Sequence, residues 1–251
     1  MTYLYDGSFA GLLTAIFDAE LAKDRDPVFS SERSYVPDLF AEIRTVETDM
    51  EKARRVSRAI EKSAGKACED IFFSAFLSEE RNREQKIHSA IIFCLEQGEE
   101  AFAHLEREDI AAVLRLSRKT THEAHMFKGY IRFTNLSEGF YYTAIAPTCN
   151  ILPLIASHFK ERFADQDWVI HDTKRASALI YLKGALEYAD IETYDHTRAE
   201  SSDTDPIYEE LWKHYHRTIG IETRKNPRLQ MHFIPKKYWS QITEMRDKND
   251  R

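Results

Sequence analysis

A chain of 251 residues, 43% hydrophobic and 31% charged, has apolar content for a sizeable core and the composition of an ordinary soluble globular protein. No segment reaches about 18 uninterrupted apolar residues, and the start MTYLYDGSFAGLL lacks a basic leader, so neither a membrane span nor a secretory signal is expected. The net charge of −7 is segregated: residues 1–110 and 186–223 carry −9 and −7, whereas 111–185 and 224–251 carry +4 and +5.

In chain order, Tyr3–Tyr5 reads as a short strand and Asp6-Gly7-Ser8 as a turn that caps a helix from Phe9 to about Ala22, with Leu12, Leu13, Ile16 and Phe17 near one stripe. Asp24–Pro37 is polar, contains two prolines and reads as a loop; Glu42–Val46 is a second short strand. Helices are expected over Asp49–Gly65, stopped by Gly65, over the Phe-rich Ala67–Leu77, from Ser78 to Gln97, and over Asp109–Met126. The N-terminal half is thus a helical layer apart from its early strands.

The segment Glu123–Leu182 then carries strands at Lys128–Asn135 and Gly139–Ala146, a helix at Ile151–Ala164, and strands at Trp168–Asp172 and Ser177–Leu182. In the first strand Tyr130, Arg132 and Thr134 alternate with Ile131, Phe133 and Asn135, so one face is core and the other a working surface. Asp190–Pro206 reads as a loop, Asp205–Ile219 as a helix stopped by Gly220, and Lys236–Met245 as a closing helix. The expected fold is α+β: a helical layer over residues 1–126 packed on a small, mainly antiparallel sheet of ββαββ order, with C-terminal helices and a basic arm over 127–251. No linker separates the two regions, which read as one continuous globular unit.

Several constellations bear on chemistry. His122 and His125 flank Glu123 on one helix face, where they either share a metal or serve as packing and capping residues. His171-Asp172-Thr173-Lys174-Arg175 ends a strand: His171 and Asp172 form a candidate acid–base pair, and Lys174 and Arg175 a candidate phosphate clamp, against the alternative of a solvated hairpin turn. His158 and Arg162 lie four apart on the central helix and face the same way. In the last basic block Arg224, Lys225, Arg228, Lys236 and Lys237 interleave with His232, Phe233, Tyr238 and Trp239 on backbone that Asn226-Pro227 and Ile234-Pro235 keep extended. Cations beside rings suit nucleic acid, the cations meeting phosphates and the rings stacking on bases; the alternative is an arm anchored to the core by its aromatics.

Cys68, Cys94 and Cys149 are odd in number and share no close spacing, which argues against a disulfide framework and for a reducing, cytoplasmic setting. They read as small buried hydrophobes, although Cys149 stands at a helix entrance where a thiol is activated. The chain has no phosphate-cradling glycine motif, no H-E-x-x-H and no cysteine cluster for iron–sulfur ligation, so no metal or other cofactor is expected.

YDGSFAGLLTAIF, AFLSE at 75–79, EAHMFKGYIRF at 123–133, HFKERF at 158–163, WVIHDTKR at 168–175, LWKHY, RKNPRLQ and IPKKYW together resemble a bacterial family of unknown function labelled "probable DNA metabolism protein", over essentially the whole chain. Members of that family are typically encoded beside a radical S-adenosylmethionine protein proposed to act on DNA, and related domains occur fused to uracil-DNA-glycosylase-like domains. The resemblance therefore implies a DNA-linked role with such proteins as partners. Met126 stands where the family motif usually has arginine, which removes a positive charge from that helix end.

Three functions remain open from the sequence. The first is a cytoplasmic accessory protein of DNA repair or modification, engaging phosphates through Arg132, Lys174, Arg175, Arg224, Arg228, Lys236 and Lys237, with Tyr238 or Trp239 stacking on a base. The second is an enzyme acting on a nucleobase or phosphodiester, with His171 and Asp172 as the pair and His125 or His158 assisting. The third is a scaffold that holds the radical protein through apolar surface.

Overall fold

The computed structural model describes residues 1–37, 41–136, 140–190 and 234–242. It is an α+β protein whose chain divides into two compact units, Met1–His122 and Glu123–Arg251.

The first unit is built on a sheet in which the strands expected at Tyr3–Tyr5 and within Glu42–Val46 are joined by a third. β1 (Thr2–Tyr5) lies between β2 (Val28–Ser31) and β3 (Ile43–Thr45), parallel to both. Parallel neighbours need a crossover, and α1 (Phe9–Leu21) supplies it between β1 and β2. The Ser8 hydroxyl accepts the Gly11 amide at 2.9 Å, as an N-cap should. β2 corrects the expectation of a loop over Asp24–Pro37. Its alternation is hard to see because Val28 is exposed while Phe29 and Ser31 turn inward. Helices α2 (Met50–Ala64), α3 (Lys66–Phe76) and α4 (Arg83–Gln97) follow, with α2 packed against α1, α3 and α4. Gly65, at φ +83°, ends α2 in a conformation that strains any side-chain-bearing residue.

Two glycines give opposite expectations for the same substitution. A Cβ on Gly11 would approach the Thr48 hydroxyl to 2.9 Å and press on the Asp6 carboxylate, which accepts hydrogen bonds from Thr48 Oγ1 at 2.8 Å and from the Ser8 amide at 2.9 Å. At Gly129, in helical backbone, a Cβ would meet nothing within 4 Å. Gly129→Ala should therefore stabilise by up to about 1 kcal/mol through helix propensity, whereas Gly11→Ala should destabilise despite that same gain. Chemical denaturation of both variants checks the signs.

α5 (Glu108–Tyr130) begins in the first unit, and from Glu123 onward it belongs to the second. It takes the first three residues of the strand expected over Lys128–Asn135. Ala124, Phe127, Tyr130 and Ile131 are all buried, and their spacing of three and four is helical rather than alternating. What remains is β4 (Thr134–Leu136).

The second unit's sheet runs β4, β5 (Phe140–Ile145), β6 (Asp167–Asp172), β7 (Ser177–Leu182), β8 (Ala185–Asp190). β5 and β6 are parallel and joined by α6 (Leu152–Arg162), and the other three pairs are antiparallel, so the ββαββ order is observed with one strand added. β8 escapes the sequence pattern because it is an edge strand with mostly exposed side chains. β6, sandwiched between β5 and β7, is buried from Trp168 to Asp172. On one face Ile155 and Phe159 of α6 pack with Trp168, Ile170, Leu179 and Tyr181; Trp168 is fully buried and stacks on Tyr181 at 5.3 Å. Tyr142, Val169 and Ala178 form a smaller apolar cluster on the other face. Ile234–Ile242 joins the larger core through Tyr238, Trp239 and Ile242, and its helical part is a 3-10 turn, Lys236–Gln241. The expected loop at Asp190–Pro206, apart from Asp190 itself, and the expected helix at Asp205–Ile219 lie outside the described residues. Among the described residues no helix is long and apolar enough to cross a membrane.

Candidate functional site

Because β5 and β6 are parallel, with Ile145 opposite Asp172, the loop that leaves β5 and the turn that leaves β6 emerge at the same end of the sheet. In α/β units this carboxyl end is where ligand-handling loops collect. Residues 146–150, Ala-Pro-Thr-Cys-Asn, leave β5 there and enter α6. Three separate parts of the chain hold this loop.

Glu123 of α5 holds its amides: the Thr148 N–H donates to Oε1 at 2.9 Å and the Cys149 N–H to Oε2 at 2.7 Å. The β6–β7 turn holds its carbonyls. Arg175 donates to Pro147 O at 3.3 Å and Thr148 O at 2.8 Å, Lys174 Nζ donates to Thr148 O at 2.9 Å, and the Thr173 amide donates to Ile145 O at 2.9 Å. The 3-10 turn closes the cluster: the Tyr238 hydroxyl donates to Glu123 Oε1, and Lys237 Nζ donates to Thr148 Oγ1 at 2.8 Å. The Thr148 and Cys149 amides and the Pro147 and Thr148 carbonyls of this irregular segment are thereby paired.

The charges are arranged to match. Burial alone would raise the Glu123 carboxyl, but hydrogen bonds from Tyr238 and from Thr148 and Cys149 outweigh it and hold the group below the usual carboxylate range. Burial and that same hydrogen bond push the Tyr238 hydroxyl up, so it stays a donor. Asp172, with no exposure, is raised by burial, and the Arg175 guanidinium 2.7 Å away works against the rise. Its other oxygen accepts the Lys174 amide at 3.1 Å, which shapes the turn.

The predicted residues divide accordingly. Lys174, Arg175, Asp172, Lys237 and Tyr238 are brought together. His171 is not brought to Asp172: adjacent residues of a strand point to opposite faces, and the His171 ring, almost fully buried, is hydrogen-bonded through Nδ1 to the Tyr142 hydroxyl at 2.9 Å. His125 is exposed on α5, and His158 is half-buried edge-on to Phe159, with burial and the nearby Lys128 and Arg162 lowering its pKa. Tyr238 and Trp239 are 5% and 8% exposed, and the Trp239 indole donates to Ile234 O, so these rings anchor the segment to the core and present no face to a base. Arg132 donates to the carbonyls of Gly129 and Ile131 just past the end of α5. Arg224 and Arg228 lie outside the described residues. All three cysteines are buried, with burial pushing the Cys94 thiol up to about 12, and no group of His, Cys, Asp and Glu that could hold a metal occurs among the described residues.

Glu123 is the residue that the sequence reading passed over. Its signal was present, because it sits on the apolar stripe of α5 beside Ala124 and Phe127, and a carboxylate in that phase needs a buried partner.

A family model described as a domain of unknown function, DUF4130, matches residues 81–244, which is more than half of the chain. The chain belongs to the DUF4130 family. Every member of the cluster around Thr148 falls within the DUF4130 match. No curated protein and no solved structure matches the chain.

Proposed function

We propose that this DUF4130 protein is an accessory factor of DNA repair or modification that binds nucleic acid along the edge formed by Lys174, Lys236 and Lys237. The observation that carries the reading is the convergence of its two basic segments: Lys174, from the block over 111–185, and Lys237, from the block over 224–251, both hydrogen-bond Thr148. Each ammonium has three donors and spends one of them there, so both keep capacity for phosphate oxygens. All three lysines are exposed, while Arg175 beneath them is committed to the loop. Chemistry on the nucleic acid belongs, in this reading, to a partner polypeptide, in line with the resemblance to a family encoded beside a radical S-adenosylmethionine protein.

The test is fluorescence anisotropy with labelled single- and double-stranded DNA across a salt series. Each phosphate neutralised contributes a slope of about −0.7 to −0.9 in log K against log salt, so three lysines predict a slope of about −2 to −3. Lys174→Glu/Lys236→Glu should weaken binding by about tenfold or more. Salt-independent binding, an unaffected variant, or no binding to either strand form would overturn the proposal.

A further inference from the structure

We propose that the face of α5 from Ala111 to His122 is a docking groove for an acidic amphipathic helix of a partner protein. The groove is open to solvent, with a volume of about 580 Å³, and its lining divides into apolar residues, Leu105, Ala111 and Leu114, taken as its floor, and polar ones, Arg115, Arg118, Lys119 and His122, taken as its rim. Along α5 these positions recur at spacings of three and four, which places them on one stripe roughly 17 Å long at 1.5 Å per residue. A partner helix of about three turns covers that length. Leu105 is 61% exposed, and beside it the half-buried Leu114 and Ala111 turn one exposed leucine into a continuous apolar strip.

The chemistry of floor and rim selects the occupant. Cations alone would suit phosphates, but an apolar floor gains nothing from a sugar–phosphate backbone, whose protein contacts are mainly polar. An amphipathic helix satisfies both parts: apolar residues at i, i+3, i+4 and i+7 enter the strip while flanking carboxylates meet the guanidinium groups bidentately. Residues 1–110 carry a net −9, against which the cations of this rim offer carboxylates a local attraction. Lys119 is paired with Glu80 at 2.5 Å across the surface, an exposed contact of small net worth.

The full-length protein should be titrated into a labelled synthetic helical peptide of about 15 residues with Leu and Trp at i, i+3, i+4 and i+7 and Glu elsewhere. A control peptide carries Lys in place of Glu, and an unlabelled single-stranded oligonucleotide serves as competitor. Saturable micromolar binding of the acidic peptide is expected, weakened at least about tenfold both by Leu114→Glu and by Arg115→Glu/Arg118→Glu, with no binding of the Lys peptide. Both arginines are exposed, so their variant keeps the fold even where Leu114→Glu disturbs it; circular dichroism verifies this. Absence of saturable binding, or equal binding by the arginine variant, overturns the proposal. So does displacement by the oligonucleotide that disappears in the arginine variant, which would make the groove a nucleic-acid surface. Lys174→Glu/Lys236→Glu leaves this groove untouched, so the nucleic-acid reading of the lysine edge and the docking groove fail separately.

Discussion

Glu123→Ala is expected to lower the unfolding free energy by about 3–5 kcal/mol, because it removes the carboxylate that accepts two loop amides and the Tyr238 hydroxyl. The Thr148 and Cys149 amides and the Tyr238 hydroxyl all point at this carboxylate. Glu123→Gln keeps the volume but offers one acceptor oxygen instead of two, and should fall between the variant and the parent. Denaturant midpoints at neutral pH measure the effect, and a loss below about 1 kcal/mol would show that the loop does not depend on this residue. The pH dependence has a definite sign. The folded pKa of Glu123 is lowered, so its contribution is present above the unfolded carboxyl value and is lost as pH falls through the folded one. The gap between parent and Glu123→Ala should therefore narrow on acidification below about pH 4.

Arg175→Ala should cost a similar 3–5 kcal/mol at neutral pH, by leaving a fully buried carboxylate without its countercharge and by removing a donor from the carbonyls of Pro147 and Thr148. Asp172 has 0% exposure, and its contact with Arg175 is 2.7 Å. The sign here opposes that of Glu123. Asp172 already titrates above its ordinary value and rises further once Arg175 is gone, so the penalty is absent below the unfolded pKa and appears as pH climbs through the raised one. Acidification should accordingly rescue Arg175→Ala in relative terms. A second check is the double variant Arg175→Ala/Asp172→Asn, which removes the orphaned charge and should be less destabilised than the sum of the two single changes. Strict additivity would mean that the pair is not coupled. Arg175→Lys should fail to restore stability fully, since an ammonium lacks the planar fork that reaches Asp172, Pro147 and Thr148 at once.

These two residues make the loop at 146–150 an assembled object rather than a local one. Its amides are held from α5, its carbonyls from the β6–β7 turn, and its threonine hydroxyl from the C-terminal 3-10 turn. Tyr238 bonds Glu123 across 115 positions of sequence, and Lys237 bonds Thr148 across 89. Residues this distant cannot announce one another through local pattern. Lys174 and Arg175 were legible as a cationic pair at a strand end, yet their division of labour was not: Arg175 is turned inward by a buried Asp172, and Lys174 stays at the surface.

By itself the amino-acid order determined the α+β class, the helices with clear three–four spacing, the capped start of α1 at Ser8, the stop of α2 at Gly65, and the strand–helix–strand run from Phe140 to Leu182. These are local matters, decided by apolar period, caps and turn residues within a few positions. Tertiary structure decided whatever depends on neighbours far along the chain. It made Val28–Ser31 a parallel strand because β1 lies beside it, and carried α5 to Tyr130 because Phe127, Tyr130 and Ile131 bury one helical stripe. It buried Tyr238 and Trp239 in the core rather than leaving them as rings for bases, and it turned His171 and Asp172 to opposite faces of β6. It also brought Lys174 and Lys237, one lysine from each basic block, together at Thr148. Pairing register and the burial of charge are settled only when the whole chain is packed, since both depend on partners that sequence distance hides.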